Sequence, residues 1–267
     1  MRFGSVRYDG SSFIELLRCD YAELSPALDL TGEAGAKLSQ GVPHGTTVVS
    51  LKYADGALIA GDRLATEGYQ VAMRTIEKVF KTDEHSAMAI AGAAGPCVEM
   101  ARLFRIELEH YEKLEGVELD LEGKANKLGQ MIRQNLPMAM QGLVVVPLFT
   151  GYDLKQSKGR IFKYDVTGGR YEEIDYYAVG SGGKDARSSM KKIYKSSASE
   201  DGAVRIVLEA LFDAADEDRG TGGVDTVRGI YPTIKLVTKD GISDVSEDRI
   251  KAVFEEIVKA RRAEEAA

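Results

Sequence analysis

The chain has 267 residues, 44% of them hydrophobic and 29% charged, and a formal net charge of −7. That balance describes a soluble globular protein able to bury a substantial core, and it offers no electrostatic attraction to nucleic acid or an anionic membrane. Cys19 and Cys97 are the only cysteines, without metal or redox spacing, and no apolar run spans a bilayer. A cytoplasmic protein without metal or cofactor is therefore expected.

Residues 1–45 mix Gly, Ser, Pro and isolated charges, and no hydrophobic period persists there. Composition leaves two readings open, a disordered tail and a removable pro-segment. From Thr46 the texture changes to paired strands. "TTVVSLKY" and "ALIAGDRLAT" flank "ADG", a hairpin turn signal, and "EKVFKTD" and "SAMAIAG" flank a second polar turn. Pro96 then marks a first helical position. Met100, Leu103, Phe104, Leu108 and Tyr111 follow at helical spacing, ending near Gly116. A second helix is expected from about Leu121, with Leu128, Ile132 and Leu136 on one face.

Strands return in "LVVVPLFTGYD", "GRIFKYDV" and "EEIDYYAVGSG". Val204, Val207, Leu208, Leu211 and Ala215 mark a helix, and "VRGIYPTIKLVTKDGIS" reads as another hairpin. Ile250, Val253, Phe254, Ile257 and Val258 give a last amphipathic helix capped by Ser246. Hairpins without βαβ units imply antiparallel sheets. "LVVVPL" and "GALIAG" are apolar on both faces, as strands between a second sheet and a helix layer should be. The expected class is α+β, a four-layer αββα sandwich over 46–267 after a segment at 1–45.

Catalytic chemistry is sparse in this composition. His44 precedes the first strand, His85 sits in a turn and His110 in a charge-rich helical stretch, each better read as structural. Neither a G-x-S-x-G elbow nor an H-E-x-x-H pair occurs. "GSGG" at 180–183 precedes a helix, but a lone glycine cluster is weak evidence for an anion site, and the "GG" pairs at 168–169 and 222–223 read as turns. A base supplied by the backbone remains. If the chain is cut after Gly45, Thr46 gains an α-amine beside its own hydroxyl. Such an amine titrates near ~7.7–8.0 and can accept the hydroxyl proton, directly or through one water. It needs a nearby cation, and a carboxylate to hold that cation.

"GTTVVSLKYADGALIAGDRLAT", the lysine of "EKVF", "IAGAAG", "YYAVGSGG" and "VDTVRGIYP" resemble the proteasome β-subunit family, most closely its actinobacterial type. The resemblance extends over nearly all of 46–267 and implies the N-terminal nucleophile hydrolase fold. It implies Thr46 as nucleophile, Asp62 and Lys78 as its ion pair, and Gly92 as the oxyanion donor. Ser181 and Asp225 would form the outer polar network. The family often carries a serine three residues after that aspartate, where this chain has Arg228. The pocket for the residue preceding the scissile bond would be lined by Ala65, Ile76, Phe80, Ile90, Ala94 and Val98, with Thr66 also binding substrate.

The implied protein is a threonine endopeptidase that frees itself by cleavage between Gly45 and Thr46 and prefers apolar side chains, in the manner of chymotrypsin. Gly45 suits that cut because a residue without a side chain can adopt the conformation that brings its carbonyl onto Thr46 Oγ. The implied partners are six further copies in a seven-membered β ring, α subunits in an α7β7β7α7 particle, an ATP-dependent unfoldase or other cap, and unfolded polypeptides. Two alternatives are another N-terminal nucleophile amidohydrolase, including a protease of six-membered rings, and a non-catalytic ring subunit. The long leading segment and "ELEHYEKLEG" argue against the first, and retention of Thr46, Asp62 and Lys78 against the second.

Overall fold

Two five-stranded antiparallel sheets face each other. A computed structural model describes residues 45–265, which belong to one unit running from Ser39 to Ala267. Residues 1–44, with His44 and Cys19, lie outside the described part. The first sheet is built from β1 (Thr47–Tyr53), β2 (Gly56–Gly61), β10 (Tyr176–Gly180), β11 (Thr233–Thr238) and β12 (Gly241–Asp244), in the order β10-β1-β2-β11-β12. The second contains β5 (Val79–Lys81), β6 (Ser86–Gly92), β7 (Val145–Asp153), β8 (Lys158–Tyr164) and β9 (Arg170–Glu173), in sequence order. A short ribbon of β3 (Ala65–Glu67) and β4 (Gln70–Met73) stands apart.

The helices are α1 (Ala94–Glu115), α2 (Leu121–Gln134), α3 (Leu136–Ala139), α4 (Gly183–Ile193), α5 (Glu200–Glu217) and α6 (Glu247–Glu265). None is long and apolar enough to cross a membrane.

Alternation along the strands sorts the apolar side chains into three layers. Val49, Leu51, Leu58 and Ala60 pack toward α4, α5 and α6 with Met190, Val207, Leu211 and Ile250. Val48, Ile59, Ala87, Ala89, Leu148 and Ile161 fill the space between the sheets. Met88, Ile90 and Phe149 meet Phe104, Leu108, Leu128 and Ile132 of α1 and α2. β2 is buried at every position, as its two-sided apolar pattern requires. This is the αββα sandwich.

Local details shift four expectations. Ala93 caps α1, so Pro96 is its third residue, still within the first turn where the missing N–H is not needed. Leu103 and Tyr111 are exposed, and Cys97 and Ala101 complete the buried stripe instead. Leu136 falls beyond α2, which stops at Asn135. "EEIDYYAVGSG" divides between β9 and β10, which belong to different sheets. The helix stop at Gly116, with φ +71°, and the Ser246 hydroxyl accepting the Arg249 N–H follow the expected capping.

One polar pair sits inside the sandwich. Ser50 Oγ donates to the Leu58 carbonyl and lies 2.7 Å from Thr150 Oγ1 on the opposite sheet. Ser50→Ala strands a buried Thr150 hydroxyl, so stability should fall by about 1–3 kcal/mol. Adding Thr150→Val should recover most of that loss, because an apolar pair has no unmet hydrogen bond. Urea unfolding of the two variants checks this, and equal losses would show that the pair is not coupled.

Candidate active site

Antiparallel pairing gathers the chemistry at one end of the sandwich. Thr46 precedes β1 and Asp62 follows β2, strands whose register sets Val48 opposite Gly61. Ser181 follows β10, where Gly180 pairs with Thr47. Across the sandwich, Lys78 precedes β5 and Gly92 ends β6, and the Ile90 N–H donates to the Lys78 carbonyl at 3.0 Å. Residues far apart in sequence therefore share one edge.

Asp62 and Lys78 form the centre. Their side chains are 0% and 4% exposed, with Nζ 2.7 Å from Oδ1. The carboxylate is heavily bonded, as a buried charge must be. Oδ1 also accepts the Thr47 N–H at 2.7 Å, and Oδ2 accepts the N–H groups of Leu64 at 2.9 Å and Gly222 at 2.8 Å. Lys78 donates further to the carbonyls of Leu64 at 2.6 Å and Gly45 at 3.1 Å. Burial pushes the Lys78 ammonium below the usual lysine value, and the Asp62 charge and hydrogen bond pull the other way.

Thr46 is 6% exposed, and its hydroxyl lies 2.5 Å from the Gly45 carbonyl oxygen. Thr46 Oγ1 and Lys78 Nζ thus converge on one atom. The peptide linking Gly45 to Thr46 is uncut here. Gly45 has φ +97°, and a Cβ on it would lie 2.7 Å from Thr66 Oγ1 and 2.8 Å from the Gly220 carbonyl. Any side chain there would be strained and would collide. Gly92 has φ +131°, and its Cβ would fall 2.0 Å from the Val144 carbonyl. It lines the same cleft as Thr46.

The outer network differs from the expectation in one member. Ser181 Oγ accepts the Thr46 N–H at 3.4 Å and donates to Asp218 Oδ2 at 2.5 Å. Thr221 Oγ1 donates to the same oxygen at 2.6 Å and lies 2.6 Å from Thr47 Oγ1, which accepts the Gly182 N–H. Asp218 is the carboxylate of this network. Asp225 is not: it pairs with the exposed Arg228 at 2.6 Å within a turn closed by the Asp225–Ile230 bridge, and that partner holds its carboxyl low. The reason is local, because the Arg228 N–H and guanidinium take both carboxylate oxygens. The hydroxyl three residues on is also present, as Thr221 after Asp218. Its D-x-x-T spacing was the available signal.

The cleft beside Thr46 is walled by all six expected apolar residues, Ala65, Ile76, Phe80, Ile90, Ala94 and Val98, together with Cys97. Burial pushes the Cys97 thiol up to about 12, so it contributes as a small apolar group. Thr66 stands over Gly45 instead of in the wall. Of the described histidines, His85 occupies the far turn of the β5–β6 hairpin and His110 is exposed on α1.

The sequence profile described as "Proteasome subunit" matches residues 42–229. Two proteins named proteasome subunit beta are each 52% identical over 257 residues. That of Acidimicrobium ferrooxidans matches 96% of this chain and 92% of its own, and that of Acidothermus cellulolyticus 95% and 88%. With the profile spanning most of the chain and these relatives nearly all of it, the chain belongs to the proteasome β-subunit family.

Proposed function

We propose that this chain is the catalytic β subunit of a bacterial proteasome core, a threonine endopeptidase released by self-cleavage between Gly45 and Thr46. The observation that carries the proposal is the convergence of the Thr46 hydroxyl and the Lys78 ammonium on the Gly45 carbonyl oxygen. After the cut, the new α-amine beside Ser181 serves as the base, and Asp62 keeps Lys78 in place. Positive charge at Lys78 favours a neutral amine and a developing alkoxide. Thr46 Oγ attacks the scissile carbonyl, the Gly92 N–H receives the oxyanion, and water hydrolyses the resulting ester. One oxyanion donor contributes roughly 2.7–4 kcal/mol in other acyl-transfer enzymes.

The working particle on this reading is cytoplasmic. Seven copies form a ring, two such rings stack between α rings, and a cap with unfolding activity delivers unfolded polypeptide. The β4 strand fits an assembled role, since all four of its residues are exposed and Val71 and Met73 are among them.

Three outcomes are expected. Thr46→Ala should leave residues 1–45 attached in a subunit that still folds, because only the nucleophile is lost. Normal removal of the segment, read by N-terminal sequencing, would sink the autocatalytic mechanism.

Asp218→Asn should lower peptide hydrolysis by an order of magnitude or more, because the Ser181 and Thr221 hydroxyls lose their charged acceptor. Asp225→Asn should leave hydrolysis near the parent rate. Steady-state rates on one fluorogenic peptide separate the two, and the reverse ranking would return the role to Asp225.

Cleavage should follow apolar residues. Glu77 and Lys78 also line the cleft, but Glu77 accepts the Val79 N–H and Lys78 is held by Asp62, so an Arg or Asp entering among the six apolar members loses hydration for little compensation. An aliphatic or aromatic side chain gains roughly 1.5–3 kcal/mol on full burial. In the uncut chain the free volume is only about 20 Å³, room for one water, so the wall must part for a large residue. Val98, 45% exposed, is the wall member that solvent reaches most. Peptides differing only before the scissile bond test this, and equal release after Arg or Asp would show that the pocket is wrongly assigned.

A further inference from the structure

We propose that a cavity at the end of the sandwich opposite Thr46 binds a small molecule carrying a diphosphate group, which Lys52 and Lys158 hold. The cavity measures about 1000 Å³ and lies among the end of β1, the turns that follow β1, β7 and β11, and the β9–β10 connection. Thr46 and Asp62 sit at the other ends of β1 and β2. Pockets for drug-sized ligands occupy roughly 300–1000 Å³, so the space suits a small molecule with an organic body.

Lys52 supplies the ground. Its side chain is 21% exposed, and its one ion pair among the described residues is a long one, 4.0 Å from Glu172. The carboxylates it could use are spent on Arg160. That guanidinium bonds both oxygens of Glu172, at 3.0 and 2.6 Å, and also reaches Asp153 at 3.0 Å and Glu122 at 2.8 Å. Asp153 is the cross-strand neighbour of Lys158, and its other oxygen accepts the N–H groups of Lys155 and Gln156. Lys158 therefore has no ion pair among the described residues. One buried arginine takes the negative charge that two lysines beside it would otherwise share.

Burial pushes the Lys52 ammonium below its usual value. Glu172 and Asp175 oppose that shift, while Lys158 and Arg160 add to it. An unpaired lysine in open solvent is ordinary, but a largely buried one beside two like charges is under-compensated. An anion between Lys52 and Lys158 removes that deficit, and Lys239, exposed on the β11–β12 turn, adds a third cation to the wall.

The acids on the wall decide where that anion sits. Glu173 is held by Lys163 and Glu200 by Arg249. Asp55 and Asp240 have no ion pair among the described residues and stand on exposed turns, where they repel a second anionic group. Negative charge belongs at the Lys52 end and a neutral body in the remaining space. Lysines act on phosphate as compact point charges, whereas the arginine fork that matches a carboxylate is already filled on Arg160.

Calorimetric titration of the full-length chain with pyrophosphate tests the site. Binding should saturate at one molecule per chain and weaken as salt rises. Lys52→Gln should weaken it by about ten-fold or more, the usual effect of losing a charged hydrogen bond. Lys158→Gln, at an exposed position outside the core, should act alike and carries the test if Lys52→Gln does not fold. Lys113→Gln on α1 should change nothing. Adenosine diphosphate should compete with pyrophosphate, and its tighter binding would support an organic ligand, equal binding an inorganic one. Absence of saturable binding, unchanged affinity in either cavity variant, or citrate binding as tightly as pyrophosphate would overturn the assignment.

Discussion

The Asp62–Lys78 pair is the interaction on which this end of the molecule depends. Two charges with 0% and 4% exposed side chains are expensive to remove from water, and mutual attraction alone does not offset that cost. The surrounding backbone closes the difference. Three N–H groups, from Thr47, Leu64 and Gly222, point at the carboxylate, and the Leu64 carbonyl takes one proton of the ammonium. Those donors come from the start of β1, the chain after β2 and the loop after α5. The ion pair therefore organises three separate segments around itself. Removing either partner would cost about 3–5 kcal/mol, since the other charge would be left buried and unpaired.

The same arrangement explains why the site needs the sandwich. β1 and β2 belong to one sheet, β5 and β6 to the other, and Asp62 meets Lys78 across the join. Val48, Ile59, Ala89 and Leu148 set the spacing between the sheets, so the packed interior fixes where the two charges meet. A general acid or base on a flexible loop would lack that fixity. Here every central group sits within one residue of a strand end, and backbone register transmits the geometry.

Much of this was legible in the sequence, for identifiable reasons. Two-sided apolar strands such as "GALIAG" admit few architectures, and the hairpin signals between them exclude parallel crossovers. Thr46, Asp62 and Lys78 were singled out by the family resemblance, and strand register brings their strand ends together. Asp218 was not found that way. It terminates α5 in an acidic run, "DAADED", where several carboxylates look alike from periodicity alone. Asp225, in a turn with nearby glycines, looks more like a site residue, yet its oxygens are taken by Arg228. Choosing between them requires knowing which hydroxyl the helix end meets, and that contact spans 37 residues from Ser181. The same long-range dependence hid the exposure of Leu103 and Tyr111, since helical spacing cannot say how wide the covered face is.

The outer network has a role that follows from its connections. Asp218 is hydrogen-bonded to Ser181 after β10 and to Thr221, which reaches Thr47 at the start of β1. One carboxylate oxygen thereby ties the end of α5 to two adjacent strands. Ser181 in turn meets the Thr46 nitrogen, the atom that the proposed cut would turn into an amine. An amide nitrogen has no basic lone pair, whereas the amine that replaces it does. A hydroxyl is the right neighbour for both, because it can accept from an N–H before the cut and donate to a lone pair after it. Asp218, accepting from that hydroxyl in the uncut chain, leaves the Ser181 oxygen facing the Thr46 N–H. With the amine that the proposed cut would create, the Ser181 proton would have two competing acceptors, and the Thr221 proton could keep Asp218 satisfied alone. The network could therefore answer the proposed change at Thr46 by moving one hydroxyl proton.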